Sequence, residues 1–234
     1  MIFKQLFDTA SSTYTYFLAD ATSKEAVLID PVDSNIETYL KLLASDGYTL
    51  KYSLETHVHA DHVTASGDLR ALTQAQTGVS KACGAITASL QLNDGDVLQF
   101  GRYELKVIAT PGHTAGSVSY LCKNRLFTGD ALLINGCGRT DFQGGDAGTL
   151  FDSITQKIFT MPDETLIYPA HDYKGKRVSC VGQEKAINLR LAGKTRDEFI
   201  TIMGKLNLPK PKLIDIAVPA NRMCGITEEM IPQG

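Results

Sequence analysis

Polar and aromatic or aliphatic residues alternate along Thr13–Ala19 (TYTYFLA), the period of two that marks a half-buried strand. Glu25–Ile29 (EAVLI) is a short apolar run stopped by Asp30-Pro31, as a buried strand would be. In Asn35–Ala44 the apolar residues Ile36, Tyr39, Leu40 and Leu43 fall on one helical face, and Asp46-Gly47 closes the segment. Lys51–Thr56 reads as another strand, and the chain beyond His62 as an amphipathic helix to about Thr77. Short strands follow around Ser80–Ile86, Val97–Phe100, Tyr103–Ile108, Val118–Cys122 and Arg125–Phe127, with tight turns at Gly101-Arg102 and Lys123-Asn124. Thr149–Phe159 has helical periodicity, Thr165–Tyr168 reads as a strand, and Gln183–Leu191 and Arg196–Leu206 as helices.

This order alternates too loosely for a doubly wound sheet and holds too many helices for a pure β-sandwich. An α+β architecture fits it better, two mixed β-sheets flanked by helices in an αββα sandwich. No repeat, low-complexity tract or long linker breaks the 234 residues, so a single domain over 1–234 is expected. Residues 175–234 would form a helical and extended C-terminal part packed on it.

Composition narrows the function classes. The net charge is −3, without the cationic excess that nucleic acid or an anionic membrane surface selects. No apolar run approaches the roughly 20 residues of a membrane span. The five cysteines (Cys83, Cys122, Cys137, Cys180, Cys224) are scattered and form no Cys-x-x-Cys pair, which argues against a disulfide scaffold or zinc ribbon. The amino terminus shows no basic-then-apolar leader, so the cytoplasm is the expected location.

The histidines carry the chemistry. Three of the five stand in Thr56-His57-Val58-His59-Ala60-Asp61-His62. On an extended chain His57, His59 and Asp61 would point one way and His62 the other, unless the chain turns into a helix there and brings His62 beside Asp61. Burying so many ionisable groups without a cation is costly, and imidazole with carboxylate suits zinc, iron or manganese. His113 follows a strand in TPGHTAGS, Asp130 in FTGDALL and His171 in YPAHDY. Loops at strand ends are where binding and catalytic residues collect.

These four motifs together resemble the ligand motifs of the metallo-β-lactamase superfamily, whose fold is the αββα sandwich. The resemblance fixes no reaction, because one fold hosts many. Two glutathione-handling branches are similar to the chain. Gly129–Gln143 with its TDFQ ending, His171–Gly175, Leu206–Pro211, Val218–Asn221 and Cys224-Gly225 resemble the persulfide dioxygenases (sulfur dioxygenases) more closely than glyoxalase II.

The dioxygenase resemblance implies one Fe(II) per chain held by His57, His113 and Asp130. A two-histidine, one-carboxylate triad of that kind leaves open positions for persulfide sulfur and O₂. It implies oxidation of glutathione persulfide with O₂ and water to sulfite and glutathione, and a homodimer. His59, Asp61, His62 and His171 become either groups that orient the ligands or ligands of a second metal. Arg139, Tyr173 and Arg190 become candidate substrate contacts, with loop bracing as the other role open to Arg139 and a surface ion pair for Arg190. The principal alternative is a dinuclear zinc hydroxyacylglutathione hydrolase with two Zn. An electron-transfer or sulfur-relay protein is a weaker alternative, since no flavin-binding domain or rubredoxin-like cysteine set is present. Cys137 and Cys224 are expected to be small buried hydrophobes.

Overall fold

The computed structural model describes residues 1–226, and it divides into two compact units. The first comprises Met1–Leu92, Gln99–Glu104 and the chain from Lys210 onward; the second comprises Asn93–Leu98 and Leu105–Pro209.

One six-stranded sheet is built from β1 (Ile2–Asp8), β2 (Thr13–Ala19), β3 (Glu25–Ile29), β4 (Thr49–Leu54), β5 (Gln76–Ser80) and β6 (Leu90–Leu92), in spatial order of sequence. The first two pairings are antiparallel, and β3, β4, β5 and β6 run parallel. Parallel neighbours require crossovers. Helix α1 (Ile36–Asp46) supplies the first and α2 (Ser66–Thr73) the second. Tyr39 and Leu43 of α1 are buried and share a core with Phe17, Leu28, Leu50 and Leu69, as the helical spacing predicts. Gly47 ends α1 in the left-handed conformation (φ 66°), the role glycine fills best at a helix C-terminus.

The second sheet runs β12 (Ser179–Cys180), β11 (Leu166–Pro169), β10 (Arg125–Gly129), β9 (Val118–Cys122), β8 (Tyr103–Ala109) and β7 (Val97–Phe100). Strands β8, β9 and β10 pair antiparallel in turn and β10 pairs parallel with β11, so β8, β10 and β11 all end on one edge. The second unit's core joins Leu126 and Ile167 to Leu150 of α3 (Ala147–Ser153), Val181 of α4 (Val181–Ile187) and Phe199 of α5 (Arg196–Gly204). A π-helical turn, Ile154–Ile158, extends α3. Helix α6 (Ile214–Arg222) lies in the C-terminal part of the first unit.

Several expectations change. Strand β2 is buried at all seven positions, not on one face, because its threonines find polar partners inside: Thr15 Oγ1 donates to the Asp30 carbonyl (2.7 Å). The helix expected to reach Thr77 ends at Thr73, where Gln74 turns left-handed (φ 62°), and Gln76–Ser80 forms the strand expected nearer Ser80–Ile86. Strand β1 and helix α6, which holds Pro219, are elements the sequence reading does not single out. Of the expected 175–234 segment, the described part holds β12, α4, α5 and α6, and residues 227–234 lie outside the described residues. Among the described residues no helix is long and apolar enough to cross a membrane.

Candidate metal centre

In the first unit, the segment after β4 passes beside the end of β3, where Asp30 is held left-handed (φ 52°) and buried. Its carboxylate organises the neighbouring histidines. Oδ1 accepts from the Thr56 backbone N–H (2.7 Å) and from His59 Nε2 (3.0 Å), and Oδ2 accepts from the Thr56 hydroxyl (2.9 Å). Since that hydroxyl spends its proton on Asp30, its oxygen accepts from His57 Nδ1 (3.0 Å). The lone pair of His57 therefore sits on Nε2 and that of neutral His59 on Nδ1.

Burial works against charging His59, but the carboxylates of Asp30 and Glu55 outweigh it and hold its pKa well above the usual imidazole value. Asp61 Oδ2 lies 2.9 Å from His62 Nδ1 and accepts from Thr13 Oγ1 (3.1 Å), leaving the His62 lone pair on Nε2. The return of His62 beside Asp61 comes from an irregular turn rather than a helix, since α2 starts only at Ser66. The three imidazoles pack in a row, with ring centres 4.0 Å apart for His57 and His59 and 4.4 Å for His59 and His62. One ligand atom each from His59, Asp61 and His62 fit within 4.8 Å of one another.

In the second unit, His113 follows β8, Asp130 follows β10 and His171 follows β11. The parallel register that sets Gly129 opposite Pro169 places Asp130 and His171 side by side. His113 Nδ1 donates to the Arg139 carbonyl (2.6 Å), and its Nε2 stands 3.6 Å from Asp130 Oδ2. His171 Nε2 stands 3.7 Å from Asp130 Oδ1. The Gly138 backbone N–H donates to the Asp130 carbonyl (2.8 Å), and a Cβ on Gly138 would meet that oxygen at 2.4 Å and His113 Nδ1 at 2.8 Å. Only glycine lets the loop come so close. Gly112 (φ 129°) lets the turn before His113 pack on the Leu150 backbone.

These side chains fit a metal cation. Asp130 Oδ1, His59 Nδ1 and His62 Nε2 are buried with no hydrogen-bond partner among the described residues. Each such atom costs about 1–3 kcal/mol if left unsatisfied. Separations of 3.6 and 3.7 Å are too long for hydrogen bonds. They suit two donors sharing one ion, which stand about 3.4 Å apart when each lies about 2.1 Å from a tetrahedral centre.

The candidate substrate contacts separate. The Arg139 guanidinium is spent within the chain, since Nε and Nη2 clasp the two Asp141 oxygens (2.6 and 2.7 Å) and Nη1 donates to the Pro209 carbonyl (2.7 Å). Nη2 also reaches the Leu208 carbonyl (3.3 Å). This geometry fits the bracing role of the two left open for Arg139, which holds the loop whose carbonyl orients His113. Arg190 is half-buried, and instead of a surface ion pair its Nη1 donates to the Cys137 carbonyl (2.6 Å). Tyr173 is 73% exposed, with its ring nearly parallel to that of His171 (7°, centres 6.0 Å apart). Cys137 and Cys224 are buried; burial pushes the Cys137 thiol up to about 11 against the lowering pull of Arg190, and the Cys224 thiol also rises by burial. All five cysteines are free of disulfides.

Some supporting residues were not anticipated. In the sequence Asp30 reads as a strand stop, although an acid directly after an apolar strand is the same signal that singles out Asp130. Glu184 is a fully buried carboxylate that accepts from Ser179 Oγ (2.5 Å), the Asn135 N–H (2.8 Å) and Asn188 Nδ2 (2.8 Å), pinning the start of the Asn135–Arg139 loop. Asn221 reaches the His59–Thr64 turn from 157 to 162 residues away, a separation at which no local pattern could reveal it.

The model of the metallo-β-lactamase superfamily matches residues 8–82 and 87–171, and the chain belongs to that superfamily. It carries a metal-binding set of histidine and aspartate side chains in the fold of that family, two mixed sheets flanked by helices. Among its relatives is the human protein named persulfide dioxygenase ETHE1, mitochondrial, 50% identical over 229 residues, covering 97% of this chain and 89% of that protein. The bovine protein of the same name is 51% identical over the same shares. The crystal structure of ETHE1 from Myxococcus xanthus matches with a TM-score of 0.95 and 56% identity, covering 97% of this chain and 100% of that one.

Replacing Thr56 by Val keeps the shape but removes the oxygen that takes the His57 proton and a donor to buried Asp30. Partners of this kind typically contribute 10–100-fold in metal affinity. Competition against a chelator should show metal binding weakened at least tenfold, and an unchanged affinity would contradict the role of Thr56 in orienting His57.

Proposed function

We propose that the chain is a non-haem iron(II) persulfide dioxygenase that converts glutathione persulfide, O₂ and water to glutathione and sulfite. The balance is GSSH + O₂ + H₂O → GSH + SO₃²⁻ + 2H⁺: the outer sulfur is oxidised, O₂ is reduced, and the S–S bond breaks. One observation carries the activity, 50% identity to a persulfide dioxygenase across 97% of the chain. The relatives do not favour the zinc thioester hydrolase.

In this reading His57 and His113, each through Nε2, and an oxygen of Asp130 would hold the iron. Bound there, iron(II) supplies the redox chemistry and the meeting point for sulfur and O₂. The chain's own residues prepare the place. Thr56 and the Arg139 carbonyl each hold a proton on Nδ1 of their histidine and keep Nε2 available as a donor. In this reading His59, Asp61, His62 and His171 contribute groups that can hold water and protons. The exposed Tyr173 phenol can donate a hydrogen bond to an arriving substrate. Arg190 steadies the Cys137 carbonyl, and its cation suits a glutathione carboxylate.

The test is oxygen consumption by iron-loaded protein given glutathione persulfide. Uptake should match sulfite formation mole for mole. No uptake, with rapid cleavage of S-lactoylglutathione, would overturn the assignment.

Arg139→Ala should lower kcat while leaving KM nearly unchanged, because bracing the His113 loop acts on the reacting geometry. A selective rise in KM would restore Arg139 as a substrate anchor.

A further inference from the structure

The turn that carries His59, Asp61 and His62 lies outside any helix or strand. Among the described residues, no backbone N–H bonds to the carbonyls of His59 or His62. Asn221 of α6 takes both. Its buried amide donates one proton to the His59 carbonyl (2.9 Å) and the other to the His62 carbonyl (2.8 Å). Its Oδ1 accepts from the Thr64 backbone N–H (2.9 Å), so every hydrogen-bonding group on the amide except one lone pair is spent on this one turn. The neighbouring chain closes in as well. The Gly67 N–H donates to the Cys224 carbonyl (2.7 Å), and a Cβ on Gly225 would strike the Thr64 carbonyl at 2.1 Å.

We propose that Asn221 is a positioning residue for the metal centre. It fixes the backbone on either side of Asp61, and through the packed row of imidazoles it fixes His57. A side-chain amide here replaces the ladder that a strand or helix would provide, so the C-terminal segment controls how firmly metal is held. A carboxylate at 221 could not donate to two carbonyls, and buried against them it would be repelled. The inference rests on the reading of His57 as a ligand.

The experiment titrates the metal-free full-length protein with cobalt(II), following visible absorption for both affinity and coordination geometry. Asn221→Asp keeps the shape and loses both donors; Asn221→Ser, smaller and neutral, supplies the same comparison if the aspartate variant does not fold. Ala217→Gly, at a buried site on the same helix, serves as the control for simple loss of stability. The Asn221 variants should bind cobalt at least tenfold more weakly with altered absorption bands. Ala217→Gly should lower the melting temperature and bind as the wild type does. Asn221 variants with wild-type affinity and spectrum, or an Ala217→Gly protein weakened equally, would overturn the positioning role. A wild-type protein that takes up no cobalt would instead overturn the metal-ligand reading beneath it.

Discussion

A histidine can give a lone pair to a metal from only one ring nitrogen at a time, and the hydrogen bond made by the other nitrogen decides which. Much of this structure serves that constraint. Thr56 receives His57 Nδ1–H only because Asp30 has taken the hydroxyl proton. The Arg139 carbonyl receives His113 Nδ1–H only because Gly138 lets the loop lie against the ring. Asp61 faces His62 Nδ1, and Asp30 faces His59 Nε2. The imidazoles of His57 and His113 are thus set in their tautomers by the chain before any metal arrives.

Setting them has consequences elsewhere. The loops that carry the ligands follow strand ends and have little regular backbone bonding, so remote side chains hold them. Asp141 and Arg139 clasp each other and the 208–209 backbone; Glu184 and Asn188 pin Asn135 and Gly136; Arg190 takes the Cys137 carbonyl. A buried carboxylate such as Glu184 is tolerable because each of its oxygens is satisfied. Arg139 and Arg190 each donate to backbone carbonyls of these loops for the same reason. Position outweighed charge type.

That difference marks what was legible from sequence. The histidine and aspartate motifs are short and stand out directly, and apolar periodicity located most strands and α1. The periodicity failed where a partner far along the chain decided the outcome. Strand β2 looked half-buried because its threonines are polar, yet their partners are the Asp30 carbonyl and Asp61. Gln74 stopped α2 by adopting a left-handed conformation that propensity alone does not foretell. Asn221 and Glu184 are ordinary helical polar residues until the tertiary structure supplies their partners.

The most direct test of the account is X-ray absorption at the iron edge combined with an anomalous difference map from iron-loaded crystals. The account predicts a single iron ligated by Nε2 of His57, Nε2 of His113 and a carboxylate oxygen of Asp130. Ligation through Nδ1 of either histidine, or two metal positions of equal occupancy, would contradict it.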